Sequence, residues 1–254
     1  MRRDAAWLLA HDQDEVSPQR AARFEAAVRR RAAGEPLAYI LGEWGFYGRT
    51  FAIAPAVLVP RPETEELLER ALDFARAWSG PELRFCDVGT GSGVLALTLA
   101  SELPRMTGVA TEVSPEALAV AAHNASMLGV ADRVDFVLSD LLASEVVRAR
   151  APFAFVVANL PYVPTEELAA APDGTAYEPR LALDGGPDGL AAYRRLVAQV
   201  RPVLAARGGL FMEAGPSTAG PLGELAEVTF GSDAVIEVRT DYGGRDRIVA
   251  VTLK

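Results

Sequence analysis

The chain has 254 residues, half of them hydrophobic and 23% charged, with a net charge of −9. That suits one large domain or a catalytic domain with a small appendage, and the acidic balance argues against a protein whose main task is gripping nucleic-acid phosphates. One cysteine, Cys86, and two histidines, His11 and His123, exclude an internal disulfide and argue against a zinc site. No apolar run approaches the roughly 18 residues of a membrane span, and residues 1–4 do not begin a signal peptide. A cytoplasmic location is expected, with no membrane partner and no direct nucleic-acid partner.

Residues 1–41 predict helix: they are rich in alanine and arginine, and Trp7, Leu8, Ala21, Phe24 and Val28 recur at helical spacing. Ser17-Pro18 reads as an N-cap followed by proline at the first helical position. The arginine content sets this segment apart from the acidic remainder and suggests a small separate unit. Residues 42–60 alternate glycine (Gly42, Gly45, Gly48) with Trp44, Phe46, Tyr47, Phe51 and Ile53, the pattern of a short β-hairpin linker. From residue 61 to 254, strand and helix patterns alternate. A helix over 64–78 precedes strands over 84–88, 107–111, 134–138, 153–158, 209–213, 234–239 and 247–253. Helices are expected over 94–102, 115–128, 189–206 and 221–228. The alternation predicts an α/β fold with a seven-stranded, mostly parallel sheet covered on both faces. The short turn at Tyr242-Gly243-Gly244 permits only an antiparallel pair at the end.

Residues 85–93 read Phe-Cys-Asp-Val-Gly-Thr-Gly-Ser-Gly, an apolar strand running into a glycine cluster that opens a helix at Val94. Glycines there let a ligand approach the main chain. Val94 stands where a dinucleotide fingerprint needs glycine, and the Lys-Ser/Thr of a phosphate-binding loop is absent. The turn therefore suits a ligand without a pyrophosphate. Glu112 ends the next strand, where an acid can accept from a ribose diol. Ser139-Asp140-Leu141 follows the third strand. All three positions fall at carboxyl ends of parallel strands, and together they predict S-adenosylmethionine rather than a nicotinamide cofactor.

The fourth strand runs into Asn159-Leu160-Pro161-Tyr162. A primary amide offers one donor group and one acceptor to another planar amide or amidine, and a tyrosine ring packs on a flat substrate. Such a site orients a weakly nucleophilic nitrogen toward a methyl sulfonium.

The paired motifs resemble S-adenosylmethionine-dependent methyltransferases of planar nitrogens, among them adenine-N6 and glutamine-N5 enzymes. Further runs narrow the likeness: Gly34-Glu35-Pro36, Tyr39-Ile40-Leu41-Gly42, residues 57–65, Tyr177-Glu178-Pro179-Arg180, Asp188-Gly189-Leu190 and residues 241–247. They are similar to the HemK/PrmC family of release factor glutamine methyltransferases. The resemblance implies a Rossmann-like methyltransferase domain and methyl transfer to the side-chain amide N5 of the glutamine in the Gly-Gly-Gln motif of class 1 peptide chain release factors, with S-adenosylhomocysteine as product. It assigns catalysis to Asn159, Leu160, Pro161 and Tyr162. It assigns the cofactor to Asp87, Gly89, Thr90, Gly91, Ser92, Gly93, Glu112, Asp140, Leu141 and Asn159. Arg61 and Glu63 are expected at the cofactor mouth or in a salt bridge, and Tyr177 and Glu178 are expected to shape the substrate loop. No general base is evident. The family usually has Asn-Pro-Pro-Tyr where this chain has Leu160, and its N-terminal bundle is longer. A glutamine methyltransferase of a ribosomal protein, a nucleic-acid adenine-N6 methyltransferase and a non-catalytic cofactor binder are the alternatives. A monomer is expected.

Overall fold

The computed structural model describes residues 15–81, 84–170 and 174–254. Ser17 caps the first described helix, α1 (Pro18–Ala32), by accepting from the Arg20 N–H, and Pro18 fills the first position. No residue of α1 is buried, and Phe24 is 70% exposed. Ala21, Phe24 and Val28 thus lie on a helix, as their spacing predicts, but mark no core face, while Trp7 and Leu8 lie outside the described residues. The one-turn α2 (Leu37–Leu41) ends at Gly42 in the left-handed region, φ 73°. It buries Tyr39, whose hydroxyl donates to the Val57 carbonyl at 2.6 Å.

The expected hairpin pairs β1 (Glu43–Phe46) with β2 (Arg49–Ala52) in antiparallel register. Its two-residue turn, Tyr47-Gly48, has positive φ at both positions, the geometry that matches strand twist. Helix α3 (Glu63–Ala77) starts with Glu63, Glu65 and Glu66, which complement the positive end of its dipole, and it buries Leu67, Leu68 and Leu72.

Seven strands then form one sheet: β3 (Arg84–Val88), β4 (Thr107–Glu112), β5 (Val134–Leu138), β6 (Phe153–Ala158), β7 (Leu204–Glu213), β8 (Ala234–Thr240) and β9 (Asp246–Leu253). Their order is β5-β4-β3-β6-β7-β9-β8, and β9 runs antiparallel to both neighbours. The period-two alternation of strand side chains divides the core into two layers. Phe85, Phe155 and Phe211 pack on α3, α4 (Val94–Glu102) and α5 (Pro115–Leu128). Cys86, Val156 and Leu210 pack on α7 (Ala191–Val200) and α8 (Ala219–Phe230), while α6 (Glu145–Arg150) adds Val147 to this second layer. Phe85 and Phe155 stack with ring centroids 5.7 Å apart.

Three sequence expectations need correction. The helix expected to reach residue 206 stops at Val200, because Pro202 removes a donor and shapes a 3-10 turn over Arg201–Val203. Strand β7 accordingly starts at Leu204 rather than 209. A bulge follows, since Phe153 pairs with Leu204 and Phe155 with Gly209. Helix α6, capped by the Ser144 hydroxyl, is too short to show a period in the sequence.

The chain runs outward from β3 through β4 to β5, then returns to β6 on the other side of β3. The carboxyl ends of β3 and β6 flank this reversal, where open α/β sheets bind ligands. The hairpin linker is tied to the same place by Asn124 of α5. Its Oδ1 accepts from the Ala52 N–H at 2.7 Å, and its Nδ2 donates to the carbonyls of Ala52 (3.0 Å) and Ser92 (2.9 Å). Asn124 is 1% exposed, so truncation strands the buried Ser92 carbonyl and both backbone groups of half-buried Ala52. Asn124→Ala is expected to cost about 1–3 kcal/mol and to lower Tm by roughly 2–10 °C in a thermal melt. An unchanged melt would show that the hairpin is held by packing alone.

Candidate active site

The glycine turn is built by backbone bonds between strand ends. The N–H groups of Gly89 and Thr90 both donate to the Thr111 carbonyl at 2.9 Å, and Gly93 donates to Thr90 at 2.8 Å. Gly89, Gly91 and Gly93 all have positive φ. At Gly89 the requirement is double: a Cβ there would lie 2.7 Å from Leu160 Cδ2. The first motif thus closes directly onto the second.

Asp87 is buried beneath this turn. Its Oδ2 accepts from Thr90 Oγ1 at 2.6 Å and from the Ala96 N–H at 3.1 Å, while Oδ1 has no partner among the described residues. Burial pushes its pKa up to about 7, against the two hydrogen bonds that favour the charged form, with Glu112 adding repulsion. Glu112, at the end of β4, accepts from the N–H groups of Gly91 (3.0 Å), Val113 (2.9 Å) and Ser114 (3.0 Å). Three backbone donors orient its carboxylate.

These elements surround a cavity of about 240 Å³. By the same measure one water needs roughly 10–15 Å³, so the space is that of an organic ligand. Gly89, Thr90, Gly91, Ser92, Glu112, Asp140, Leu141, Asn159, Leu160 and Pro161 all line it. Asp87, Gly93 and Tyr162 do not. Asp87 braces the turn from below, and Gly93 turns the chain into α4 at φ 85°. Tyr162 directs its hydroxyl to Glu213 at 3.2 Å. Asp140 forms an ion pair with Arg195 at the half-exposed rim. Leu141 holds a left-handed φ of 53°, a strained conformation that puts it on the cavity wall. Arg61 pairs with Glu178 at 2.5 Å, and Glu178 also accepts from the Val59 N–H at 3.1 Å. The loop carrying Glu178 is therefore fastened to the linker, and the Tyr177 hydroxyl extends that tie to the Ala33 carbonyl.

Glu213, Thr64 and Tyr193, to which the sequence assigned no role in the site, complete it. Glu213 ends β7 with no exposure, and its Oε2 accepts from Thr64 Oγ1 at 2.7 Å and from Asn159 Nδ2 at 3.0 Å. Thr64 Oγ1 also accepts from Asn159 Nδ2 at 3.0 Å. Tyr193, fully buried on α7, accepts from the Leu160 N–H at 3.1 Å and donates to the main-chain carbonyl of Glu213. A leucine brings a backbone N–H that a proline lacks, and Tyr193 satisfies it. An acid inside an apolar strand run was the signal for Glu213; nothing local marked Thr64 or Tyr193.

The raised pKa of Asp87 has a definite sign. The ordinary carboxyl loses its proton near pH 3.8, whereas the folded protein retains this one up to about 7. Between those values the native state binds more protons than the unfolded chain, so this group's contribution to stability falls as pH rises through the window. Asp87→Asn is expected to flatten that slope in urea melts taken between about pH 4 and 7. An identical slope in the variant would mean Asp87 is ionised throughout.

Comparison with known proteins agrees with this geometry. The PrmC N-terminal domain family matches residues 1–42, and a methyltransferase domain family matches residues 85–174. The release factor glutamine methyltransferase of Cereibacter sphaeroides is 42% identical over 98% of this chain and 86% of its own. That of Moorella thermoacetica is 44% identical over 94% and 83%. The crystal structure of a release factor-specific protein-(glutamine-N5) methyltransferase from Alicyclobacillus acidocaldarius matches with TM-score 0.51 at 29% identity, covering 80% of this chain and 99% of that one. With identities above 40% running over nearly the whole chain and the glycine turn, Glu112 and Asn159 meeting in one cavity, the chain belongs to the release factor glutamine methyltransferase family.

Proposed function

We propose that this protein transfers the methyl group of S-adenosylmethionine to the side-chain amide nitrogen of the glutamine in the Gly-Gly-Gln motif of class 1 release factors, acting as a cytoplasmic monomer. The observation that carries the reading is the meeting of the glycine turn and the Asn159-Leu160-Pro161 loop in one cavity at the sheet's reversal point.

The residues present fit the cofactor. Glu112 offers a carboxylate fixed by three backbone donors, and Gly91 has open space beyond its Cα. Val94, Leu95 and Leu141 give apolar wall, and no lysine stands ready for a phosphate. Bound there, S-adenosylmethionine supplies an electrophilic methyl group. Glu112 would hold the ribose hydroxyls, with Gly89, Thr90, Gly91 and Ser92 along the methionyl side and Asp140 and Leu141 near the adenine.

The remaining work is positioning. An amide nitrogen is a weak nucleophile because its lone pair is delocalised into the carbonyl. Asn159 Oδ1 would accept one hydrogen of the glutamine NH2 group, and the Leu160 carbonyl the other. Both acceptors favour the positive charge that develops on nitrogen. Holding the nitrogen in line removes several kcal/mol of barrier in reactions of this type. Pro161 fixes the backbone after Leu160 through its ring. Tyr162, expected to stack on the substrate, lies outside the cavity lining and directs its hydroxyl to Glu213, so it would support the loop from behind. Asp87 and Gly93, expected at the cofactor, lie outside the cavity lining and would act by supporting the glycine turn.

Incubation with labelled S-adenosylmethionine and a class 1 release factor is expected to label the factor, and a variant lacking the Gly-Gly-Gln glutamine is expected to stay unlabelled. Label on both would place the acceptor elsewhere; label on neither, with a ribosomal protein labelled instead, would reassign the substrate. Asn159→Ala is expected to abolish transfer while calorimetry shows cofactor binding retained. Glu112→Ala is expected to weaken that binding about 10-fold or more, and unchanged affinity would remove Glu112 from the ribose site.

A further inference from the structure

A primary amide turned by 180° keeps its shape and exchanges a double acceptor for a double donor. For a site that must accept hydrogens from a substrate NH2 group, that exchange decides between attraction and repulsion. The flip of Asn159 is therefore a functional quantity, and the structure shows what sets it.

We infer that Glu213 is a positioning residue that fixes the Asn159 amide with its nitrogen turned inward, so that Oδ1 is the atom offered to the substrate. Both neighbours of Asn159 Nδ2 are acceptors. One is Glu213 Oε2 at 3.0 Å. The other is Thr64 Oγ1, also at 3.0 Å, whose single proton is already donated to Glu213 Oε2 at 2.7 Å. Toward Asn159 the threonine hydroxyl can only accept. Reversing the amide would set Oδ1 against a carboxylate oxygen and a hydroxyl lone pair together. Among the described residues no donor is paired with Asn159 Oδ1, and Asn159 and Thr64 line the cavity while Glu213 lies wholly behind them. The three side chains form a relay that converts a buried negative charge into a defined acceptor at the cavity wall. This role deepens the proposed reaction and rests on that reading only for the identity of the NH2 group.

The relay holds its sense only while Glu213 is ionised. A proton on Oε2 would turn that oxygen into a donor and make both amide orientations acceptable. Burial pushes the Glu213 pKa up to about 7, against the lowering effect of the Thr64 and Tyr162 hydrogen bonds and the Arg247 charge. The groups that face it are Tyr162 from the loop after β6, Tyr193 from α7, Arg247 on β9 and Glu63 at the start of α3, whose charge raises it further. Turnover is therefore expected to weaken, not rise, as pH falls through about 7, because part of the population then offers the amide nitrogen instead.

The test follows the side-chain NH2 resonance of Asn159 by NMR in 15N-labelled protein, assigned by its absence in Asn159→Ala, from about pH 5.5 to 8.5. In the unaltered protein it is expected to shift with a midpoint near 7, and kcat for release-factor methylation is expected to fall with the same midpoint on the acid side. In Glu213→Gln both profiles should become flat. At high pH kcat should be lower by about 10- to 100-fold, with the KM for S-adenosylmethionine unchanged. A resonance that ignores pH in the unaltered protein would overturn the proposal without recourse to any Glu213 variant. So would a folded Glu213→Gln enzyme with normal kcat. A titrating resonance in a protein that labels no release factor would support the relay and overturn the substrate reading alone.

Discussion

A carboxylate removed from water must be hydrogen-bonded, because leaving it alone costs several kcal/mol. Glu213 meets that requirement with partners brought from distant parts of the chain. Thr64 reaches it across 149 residues, Asn159 across 54 and Tyr162 across 51. Its main-chain carbonyl takes the Tyr193 hydroxyl, which in turn accepts the Leu160 N–H. The start of α3, the loop after β6, the end of β7 and the first turn of α7 are thus fixed relative to one another at one point. Leu160, which departs from the family's usual proline, is accommodated by the same cluster, and its side chain fills the space that glycine leaves at position 89.

That point lies beside the place where the sheet changes direction. The reversal between β3 and β6 leaves a gap outside two strand ends, and the chain places its two motifs there. Glu112 draws the next strand into the same assembly by accepting from Gly91. Asn124 draws in the hairpin by holding Ala52 and Ser92. The cavity is therefore preorganised by hydrogen bonds centred on Glu213, Glu112 and Asn124. A site that works by aligning a weak nucleophile depends on such rigidity, because small displacements there have large effects on rate.

Much of this was legible in the sequence. The seven strands announce themselves as short apolar runs, and the glycine turn, Glu112 and Asn159 stand at strand ends where α/β sheets bind ligands. What was hidden depends on contacts across the fold. Glu213 sits in an apolar run and reads as a strand terminus. Thr64 reads as the opening of a helix, and Asn124 as a polar residue within one. Asp87 reads as a ligand-facing acid, yet its hydrogen bonds go to the turn. Tyr162 reads as a stacking face, yet its hydroxyl is its connection. Small apolar residues fit helix and strand equally well, so the boundary between α7 and β7 required the sheet register to decide it. In α1, helical spacing described an apolar stripe that none of the described residues cover.

The most direct test is a crystal structure of the protein with S-adenosylhomocysteine and a release-factor domain carrying the Gly-Gly-Gln motif. The expected complex has the glutamine nitrogen roughly 2.7–3.2 Å from Asn159 Oδ1, the Asn159 nitrogen still on Glu213 and Thr64, and the ribose at Glu112. A glutamine bound outside this cavity, or one facing the Asn159 nitrogen, would contradict it.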